Sequence, residues 1–251
     1  MPDPNFQNVL GVIPARWAST RFPGKPLELI GGKPLVQHVW DQCARCRNLG
    51  KVVVATDDDR IFRAVQDFGG EASMTRDDHP SGTDRMAEVA EKFPDHDVLI
   101  NIQGDEPLID PELIDELAGK LLGDPDLPMI TAANPMQPDD PAVQDENVVK
   151  VTIDRDGHAL YFSRSPIPFP RNTAVDELTY YRHKGIYGFR RDFLLEFVSW
   201  APSILEQTEG LEQLRAMENG ARIRVILTGD DSTGIDTPEQ AAILNEQFKG
   251  D

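Results

Sequence analysis

The chain has 251 residues, with 25 Lys plus Arg against 43 Asp plus Glu and a formal net charge of −18. With 39% apolar and 27% charged residues it has the composition of a folded chain rather than a disordered one, long enough to bury a sizeable core. No apolar run approaches the ~20 residues of a membrane span, and the acid excess leaves no surplus of cations to neutralise nucleic-acid phosphates.

The first eight residues are polar, without the basic start and apolar core of a signal peptide, which predicts a cytoplasmic chain. Residues 9–13 (Val-Leu-Gly-Val-Ile) read as a buried strand ending at Pro14. A polar loop punctuated by Gly and Pro covers 15–25, and a helix is expected over about 34–47, with Pro34 suited to its first turn. Strand 51–55 precedes a helix at 58–68 that stops at Gly69-Gly70. A short strand at 72–74, a helix at 82–93, a strand at 97–102 and a helix at 111–122 follow. This alternation predicts an α/β fold with a Rossmann-like sheet. From about residue 128 the pattern changes: strands at 129–133, 148–154, 160–163 and 185–190, partly antiparallel, then helices at 192–199 and 203–218, a strand at 223–227 and a helix at 237–248. The whole reads as a single domain over 1–251, with an excursion at about 135–181 suited to an arm or dimer contact. Cys43 and Cys46 lie in the expected 34–47 helix with no second ligand pair, and read as incidental thiols rather than a redox or zinc motif.

The loop after the first strand carries Arg16, Arg21 and Lys25 within ten residues, together with Ser19, Thr20 and Gly24. It sits where ligands bind in open α/β sheets, beyond the carboxyl end of a strand. Its guanidiniums, ammonium, hydroxyls and approachable backbone are the groups that grip a polyphosphate, although it is neither a Walker A loop nor G-x-G-x-x-G. Asp105 follows the 97–102 strand in Gln-Gly-Asp-Glu-Pro, again at the carboxyl edge of the sheet. Asp236 precedes the last helix in Gly-Ile-Asp-Thr-Pro. Hard cations such as Mg²⁺ are usually held by one or two carboxylates plus substrate phosphates, which these two aspartates would supply. Taken alone, Asp236 reads better as a helix cap. Ser81 and Thr83 either cap the 82–93 helix or read a base edge. Ser163-Arg164, His183, Tyr187 and the run 211–215 (Leu-Glu-Gln-Leu-Arg) offer polar groups to a sugar-like second substrate, each more often structural when met singly.

Nine segments together closely resemble the cytidylyltransferases that activate 3-deoxy-D-manno-octulosonate (Kdo), the CMP-Kdo synthetase family. They are Ile-Pro-Ala-Arg-Trp-Ala-Ser-Thr-Arg-Phe-Pro-Gly-Lys-Pro (13–26), Val-Ala-Thr-Asp (54–57), Met-Thr-Arg (74–76), His-Pro-Ser-Gly-Thr-Asp-Arg (79–85), Asn-Ile-Gln-Gly-Asp-Glu-Pro (101–107), Ala-Leu-Tyr-Phe-Ser-Arg (159–164), His-Lys-Gly-Ile-Tyr-Gly (183–188), Leu-Glu-Gln-Leu-Arg (211–215) and Gly-Ile-Asp-Thr-Pro-Glu (234–239). Trp17, Phe22 and Pro80 depart from the family pattern without removing a polar group. The resemblance implies a mixed-sheet nucleotidyltransferase fold with a small inserted arm, and a homodimer. It implies transfer of CMP from CTP to Kdo with Mg²⁺, in lipopolysaccharide biosynthesis, without nucleic acid or membrane as partner. Carried onto this chain, it implies catalytic roles for Arg21, Lys25 and Asp105, and nucleotide contacts from Ala15, Arg16, Ser19, Arg21, Lys25, Arg76, Ser81 and Thr83. It further implies sugar contacts from Gln103, Arg164, His183, Tyr187, Glu212 and Gln213, and metal ligation by Asp105 and Asp236. Another acidic sugar, sialic acid or 8-amino-Kdo, is the nearest alternative; Glu106 and the 211–215 segment favour Kdo. A nucleotide-sugar binding protein without turnover is a more distant one, since such a protein has no need of both aspartates.

Asp outnumbers Glu by 27 to 16 and Arg outnumbers Lys by 17 to 8. Such a surface suits high salt, where screening relieves carboxylate repulsion. Salt adaptation predicts an unfolding midpoint that rises from low to molar KCl; a flat or falling midpoint identifies an acidic protein of ordinary cytoplasm.

Overall fold

The computed structural model describes residues 4–18, 22–172 and 178–249. Strand β1 (Val9–Pro14) lies between β4 (Lys51–Thr56) and β6 (Val98–Asn101), parallel to both, and β5 (Ala72–Met74) continues the sheet beside β4. On the other side of β6 comes β10 (Tyr180–Arg190), which runs antiparallel to β6 and to β7 (Met129–Met136). The edge strand β11 (Ile223–Leu227) returns parallel to β7. The order β11-β7-β10-β6-β1-β4-β5 is thus a parallel sheet with one reversed strand inside it, the Rossmann-like mixed sheet expected. A hairpin of β8 (Lys150–Ile153) and β9 (Ala159–Ser163) branches from β10 through the pair Arg182–Lys150, and forms the inserted arm.

Alternate strand residues feed two cores on opposite faces of the sheet. Val9, Ile13, Val54 and Ile100 pack under α1 (Leu35–Cys43), α2 (Asp59–Asp67) and α4 (Pro111–Gly123), which contribute Val39, Ile61 and Leu117. Leu10, Val12, Val53 and Leu99 pack under α3 (Gly82–Lys92), α5 (Arg191–Ser199) and α7 (Gln213–Glu218), with Met86, Phe197 and Leu214. Phe162 of β9 and Phe189 of β10 join this second core. Each such fully buried side chain contributes roughly 1.5–3 kcal/mol. No helix among the described residues is long and apolar enough to cross a membrane.

Three expectations need correction. The helix expected over 34–47 ends at Cys43, because Asp115 of α4 accepts the N–H groups of Arg47 (2.9 and 3.0 Å) and Asn48 (2.8 Å) and draws the chain away. The helix expected over 203–218 is two, α6 (Ile204–Glu209) and α7, broken where Gly210 takes a left-handed conformation at φ 63° that favours glycine. Pro34, expected in the first turn of the 34–47 helix, instead belongs to a short antiparallel hairpin of β2 (Leu29–Ile30) and β3 (Lys33–Pro34), where no strand was read. The last helix, α8 (Pro238–Lys249), lies where expected. Neither cysteine is in a disulfide, Cys43 ends α1 while Cys46 lies beyond it, and burial pushes the Cys46 thiol up to about 12, as for an inert thiol.

The arm is tied down by Lys150, which is fully buried. Its ammonium donates to the carbonyl oxygens of Asp145 (2.8 Å), Val148 (2.6 Å) and Arg164 (2.5 Å).

Candidate active site

Loops leaving the carboxyl ends of β1 and β6 meet the segment before α8 around a cleft of about 260 Å³. The floor comes from an enforced close approach. A Cβ on Gly104 would stand 2.6 Å from the Pro14 carbonyl oxygen, so only glycine lets the 103–107 turn lie against the end of β1. Ala15 is fixed there by its N–H, which donates to Ala55 (2.8 Å). Arg16 and Lys25 enter from one side, Gln103, Asp105 and Asp236 from another. Ser81 and Gly82 bring the N-terminus of α3 to a third side, where its dipole favours an anion.

Lys25 is the centre of the charge arrangement. Its ammonium lies 2.6 Å from Asp105 Oδ2 and 3.3 Å from Asp236 Oδ1, so two carboxylates 131 positions apart in the chain stand within reach of one small cation. Behind them a second ammonium, Lys184, contacts Glu106 (3.1 Å) and Asp230 (3.3 Å). Four carboxylates against two ammonium groups leave two negative charges, which one divalent ion would balance. All the donors are hard oxygens, the chemistry that Mg²⁺ and similar ions take. Among the described residues no group of three or more His, Cys, Asp and Glu converges on one point. An ion here would therefore rely on Asp105 and Asp236, with phosphate and water oxygens completing its shell.

The helix-cap reading of Asp236 does not hold. Thr237 Oγ1 accepts the Gln240 N–H (3.3 Å), and Gln240 Oε1 accepts those of Thr237 (3.1 Å) and Asp236 (2.6 Å). Capping falls to Thr237 and Gln240 while the Asp236 carboxylate turns to Lys25.

From Ser81 a chain of contacts leads away from the cleft. Ser81 Oγ caps α3 by accepting the N–H groups of Thr83 and Asp84 (3.1 Å each), and it lies 3.0 Å from the Glu212 carboxylate. Thr83 donates to the same carboxylate at 2.8 Å. Burial raises the Glu212 carboxyl, opposed by these hydroxyls and by Arg215. Tyr187 stacks at a tilt on His183, which meets Phe162 edge-on. Burial lowers His183 to about 3, so its imidazole is neutral at physiological pH and serves as a hydrogen-bonding group, 3.0 Å from Thr131 Oγ1. Gln213 Nε2 is buried with no hydrogen-bond partner among the described residues. Gln103 donates to the Gly185 carbonyl (2.8 Å).

Arg76 and Arg164 are not among the residues lining the cleft. Arg76 is held at Glu88, which takes its N–H at 3.0 Å. Burial would raise the Glu88 carboxyl, but Lys92, the Arg76 N–H and His79 together hold it at about 2. Arg164 donates to the carbonyls of Glu209 (2.6 Å), Glu146 (2.9 Å) and Gly210 (3.4 Å), bracing the corner between α6 and α7. Ser19 and Arg21 lie outside the described residues. Two ionisable cleft residues were not singled out from sequence, His79 and Arg85. Arg85 is 3% exposed and donates to Thr75 Oγ1 (2.5 Å). Its signal was present: it closes the His-Pro-Ser-Gly-Thr-Asp-Arg segment, next to the core residue Met86.

A mostly parallel sheet with a cationic loop and paired aspartates at its carboxyl edge defines a nucleotide-handling α/β enzyme. The chain matches the cytidylyltransferase family over residues 10–223 and belongs to that family. It is 51% identical to the 3-deoxy-manno-octulosonate cytidylyltransferase of Pelobacter propionicus, over 96% of this chain and 98% of that protein. It is 50% identical to the enzyme of the same name from Leptospira interrogans, over 97% of each. The structure of a CMP:2-keto-3-deoxy-manno-octonic acid synthetase complexed with CTP superposes with a TM-score of 0.91 at 43% identity, covering 96% of this chain and 98% of that one. A 4-diphosphocytidyl-2C-methyl-D-erythritol synthase from Anaerococcus prevotii, 14% identical with a TM-score of 0.63 over 97% of this chain and 99% of its own, shares the fold.

Because Thr237 and Gln240 cap α8, Asp236→Asn is expected to leave the melting temperature within about 1 °C of the parent while turnover falls at least tenfold. A lowered melting temperature with normal specific activity would restore the cap reading.

Proposed function

We propose that the chain transfers CMP from CTP to the anomeric hydroxyl of Kdo, releasing pyrophosphate, with Mg²⁺ as the divalent ion, in the cytoplasm, for lipopolysaccharide biosynthesis. The observation that carries this reading is the Lys25 ammonium between Asp105 and Asp236, beside a cationic loop at the carboxyl edge of the sheet.

In this reaction the sugar oxygen bonds to the α-phosphorus as the bond to the β-phosphate oxygen breaks in line, and the hydroxyl proton passes to solvent. Such transfers depend on positioning and on offsetting charge. Arg16 and Lys25, with Arg21 and Ser19 from the same loop, hold the triphosphate, and Lys25 meets the charge that grows on departing pyrophosphate. Asp105 and Asp236 would hold the ion, which when bound would supply positive charge to the phosphates and lower the pKa of a hydroxyl beside it. Ala15 presents the nucleotide with a surface free of bulk, Ser81 shapes the α3 end of the cleft with Thr83 behind it on Glu212, and Arg76, outside the cleft, would have to swing in to reach the nucleotide. Gln103, His183, Tyr187, Glu212 and Gln213 form the sugar side. Gln213 Nε2, buried without a hydrogen-bond partner among the described residues, is the donor assigned to a sugar hydroxyl. Arg164 spends three of its five N–H groups on carbonyls, leaving two for the sugar carboxylate.

Pyrophosphate release with CTP and a panel of Kdo, 8-amino-Kdo and sialic acid tests the reaction; no release with Kdo overturns it. Lys25→Ala is expected to lower kcat by roughly 10²–10³-fold, because its contact strengthens in the transition state. Arg164→Ala is expected to raise KM for Kdo at least tenfold with KM for CTP little changed, because the sugar carboxylate keeps its charge throughout and its loss is uniform binding. A raised KM for CTP alone would show that the site is divided wrongly between nucleotide and sugar.

The chain acts as a single domain that pairs with a second copy through the arm. Leu160 of β9 is 60% exposed and Phe169, in the segment that leaves the hairpin, is 82% exposed, an apolar surface out of keeping with so charged a chain. Sedimentation is expected to show a dimer that Phe169→Asp converts to monomer at micromolar concentration; a monomeric parent overturns the assignment.

A further inference from the structure

Lys184 is 5% exposed, lies in the His-Lys-Gly-Ile-Tyr-Gly segment (183–188) but was assigned no role from the sequence, and does not line the cleft. Its place is set by an irregularity in the sheet. The register of β10 on β7 runs from Lys184 opposite Ala132 to Tyr187 opposite Thr131, so Gly185 and Ile186 are extra. A bulge of this kind re-aims the neighbouring side chains. It is held from both sides: Gln103 donates to the Gly185 carbonyl (2.8 Å), and Thr131 Oγ1 lies 2.7 Å from that of Ile186. The Lys184 ammonium then reaches the Ser232 carbonyl (2.7 Å), Ser232 Oγ (2.9 Å), Glu106 Oε2 (3.1 Å) and Asp230 Oδ2 (3.3 Å).

Glu106 directly follows Asp105, and Ser232 stands four residues before Asp236. The two loops also touch through the Ile235 N–H, which donates to the Asp105 carbonyl at 2.8 Å. We propose that Lys184 is a positioning residue: its ammonium clamps the loop bearing Asp105 to the loop bearing Asp236 and so fixes the spacing of the two carboxylates. This rests on the reading that Asp105 and Asp236 hold a divalent ion. Without the ammonium, Glu106 and Asp230 would face each other across Ser232 as buried carboxylates of like charge, and their repulsion would part the loops.

The sign of the effect separates positioning from electrostatics. Deleting a positive charge beside a cation site strengthens cation binding if charge alone matters, whereas a lost clamp weakens it. The test is Mn²⁺ affinity by electron paramagnetic resonance, with CTP saturating and sugar omitted so that turnover cannot begin. Lys184→Met, and the milder Lys184→Gln, which keeps a donor amide, are expected to weaken Mn²⁺ binding about 10–100-fold. Lys150→Met removes another buried ammonium, one that bonds only carbonyls of the arm, and is expected to lower stability without changing Mn²⁺ affinity. Unchanged or tighter binding in the Lys184 variant that folds, against a parent that binds, overturns the clamp. Equal weakening in Lys150→Met overturns it also, by showing a general effect of stability. Mn²⁺ binding that Asp105→Asn leaves unaltered overturns the ion-site reading itself, and the clamp with it.

Discussion

Six charged side chains at the carboxyl edge of the sheet hold one another in place, and the cleft depends on their balance. Lys25 meets Asp105 and Asp236 where solvent still reaches, and Lys184 meets Glu106 and Asp230 behind them out of solvent. An ammonium or carboxylate taken out of water without a partner costs several kcal/mol. The rear cluster therefore forms only when the bulge in β10, the 103–107 turn and the 228–236 segment arrive together. The front cluster carries less of this cost, because it is partly solvated and its excess negative charge is what a nucleotide's counter-ion would share. One sheet edge thus separates a group that builds the site from a group that uses it.

The reversed strand makes this possible. β6 and β7 point the same way, and between two parallel strands the antiparallel β10 contributes from the opposite chain direction. Its bulge carries Lys184 to the loops, while His183 and Tyr187, on either side, stay against Phe162 and Phe189. A single eleven-residue strand thereby links the carboxylate clamp to the polar surface that continues through Glu212 and Ser81. The neutral state of His183 follows from the same aromatic surroundings, which exclude the water that would stabilise an imidazolium.

Much of this was legible in the sequence where the signal is local. Val9–Pro14, Lys51–Thr56 and Val98–Asn101 are short apolar runs bounded by turn residues, and their loops carry the cations and aspartates that the structure gathers. What was not legible depends on partners distant in the chain. Periodicity ran the first helix through 34–47, since nothing local reveals that Asp115 will capture the amides of Arg47 and Asn48. The same rule joined α6 to α7, although Gly210 marked the break. β7 and β10 run longer than their apolar cores, because antiparallel pairing carries their polar halves, such as Arg182 with Asn134, into the ladder. The meeting of the Lys184 cluster left no trace: Glu106 and Lys184 stand in the 101–107 and 183–188 segments with no sign that they touch, and Asp230 and Ser232 are ordinary polar residues until the fold closes over them.

Asp236 shows how the two levels conflict and how the conflict resolves. An Asp before Thr-Pro has the local chemistry of a helix cap, and by that rule its carboxylate would turn inward to the first amides of α8. Thr237 offers the same service one residue later, and Gln240 returns the favour from the first turn. With two capping groups available, the helix loses nothing by releasing the carboxylate, which swings to Lys25, 211 positions earlier in the chain. The redundancy at the start of α8 is the physical condition for placing a charge at the cleft. An aspartate that alone capped its helix would have to unmake the helix end in order to hold anything else.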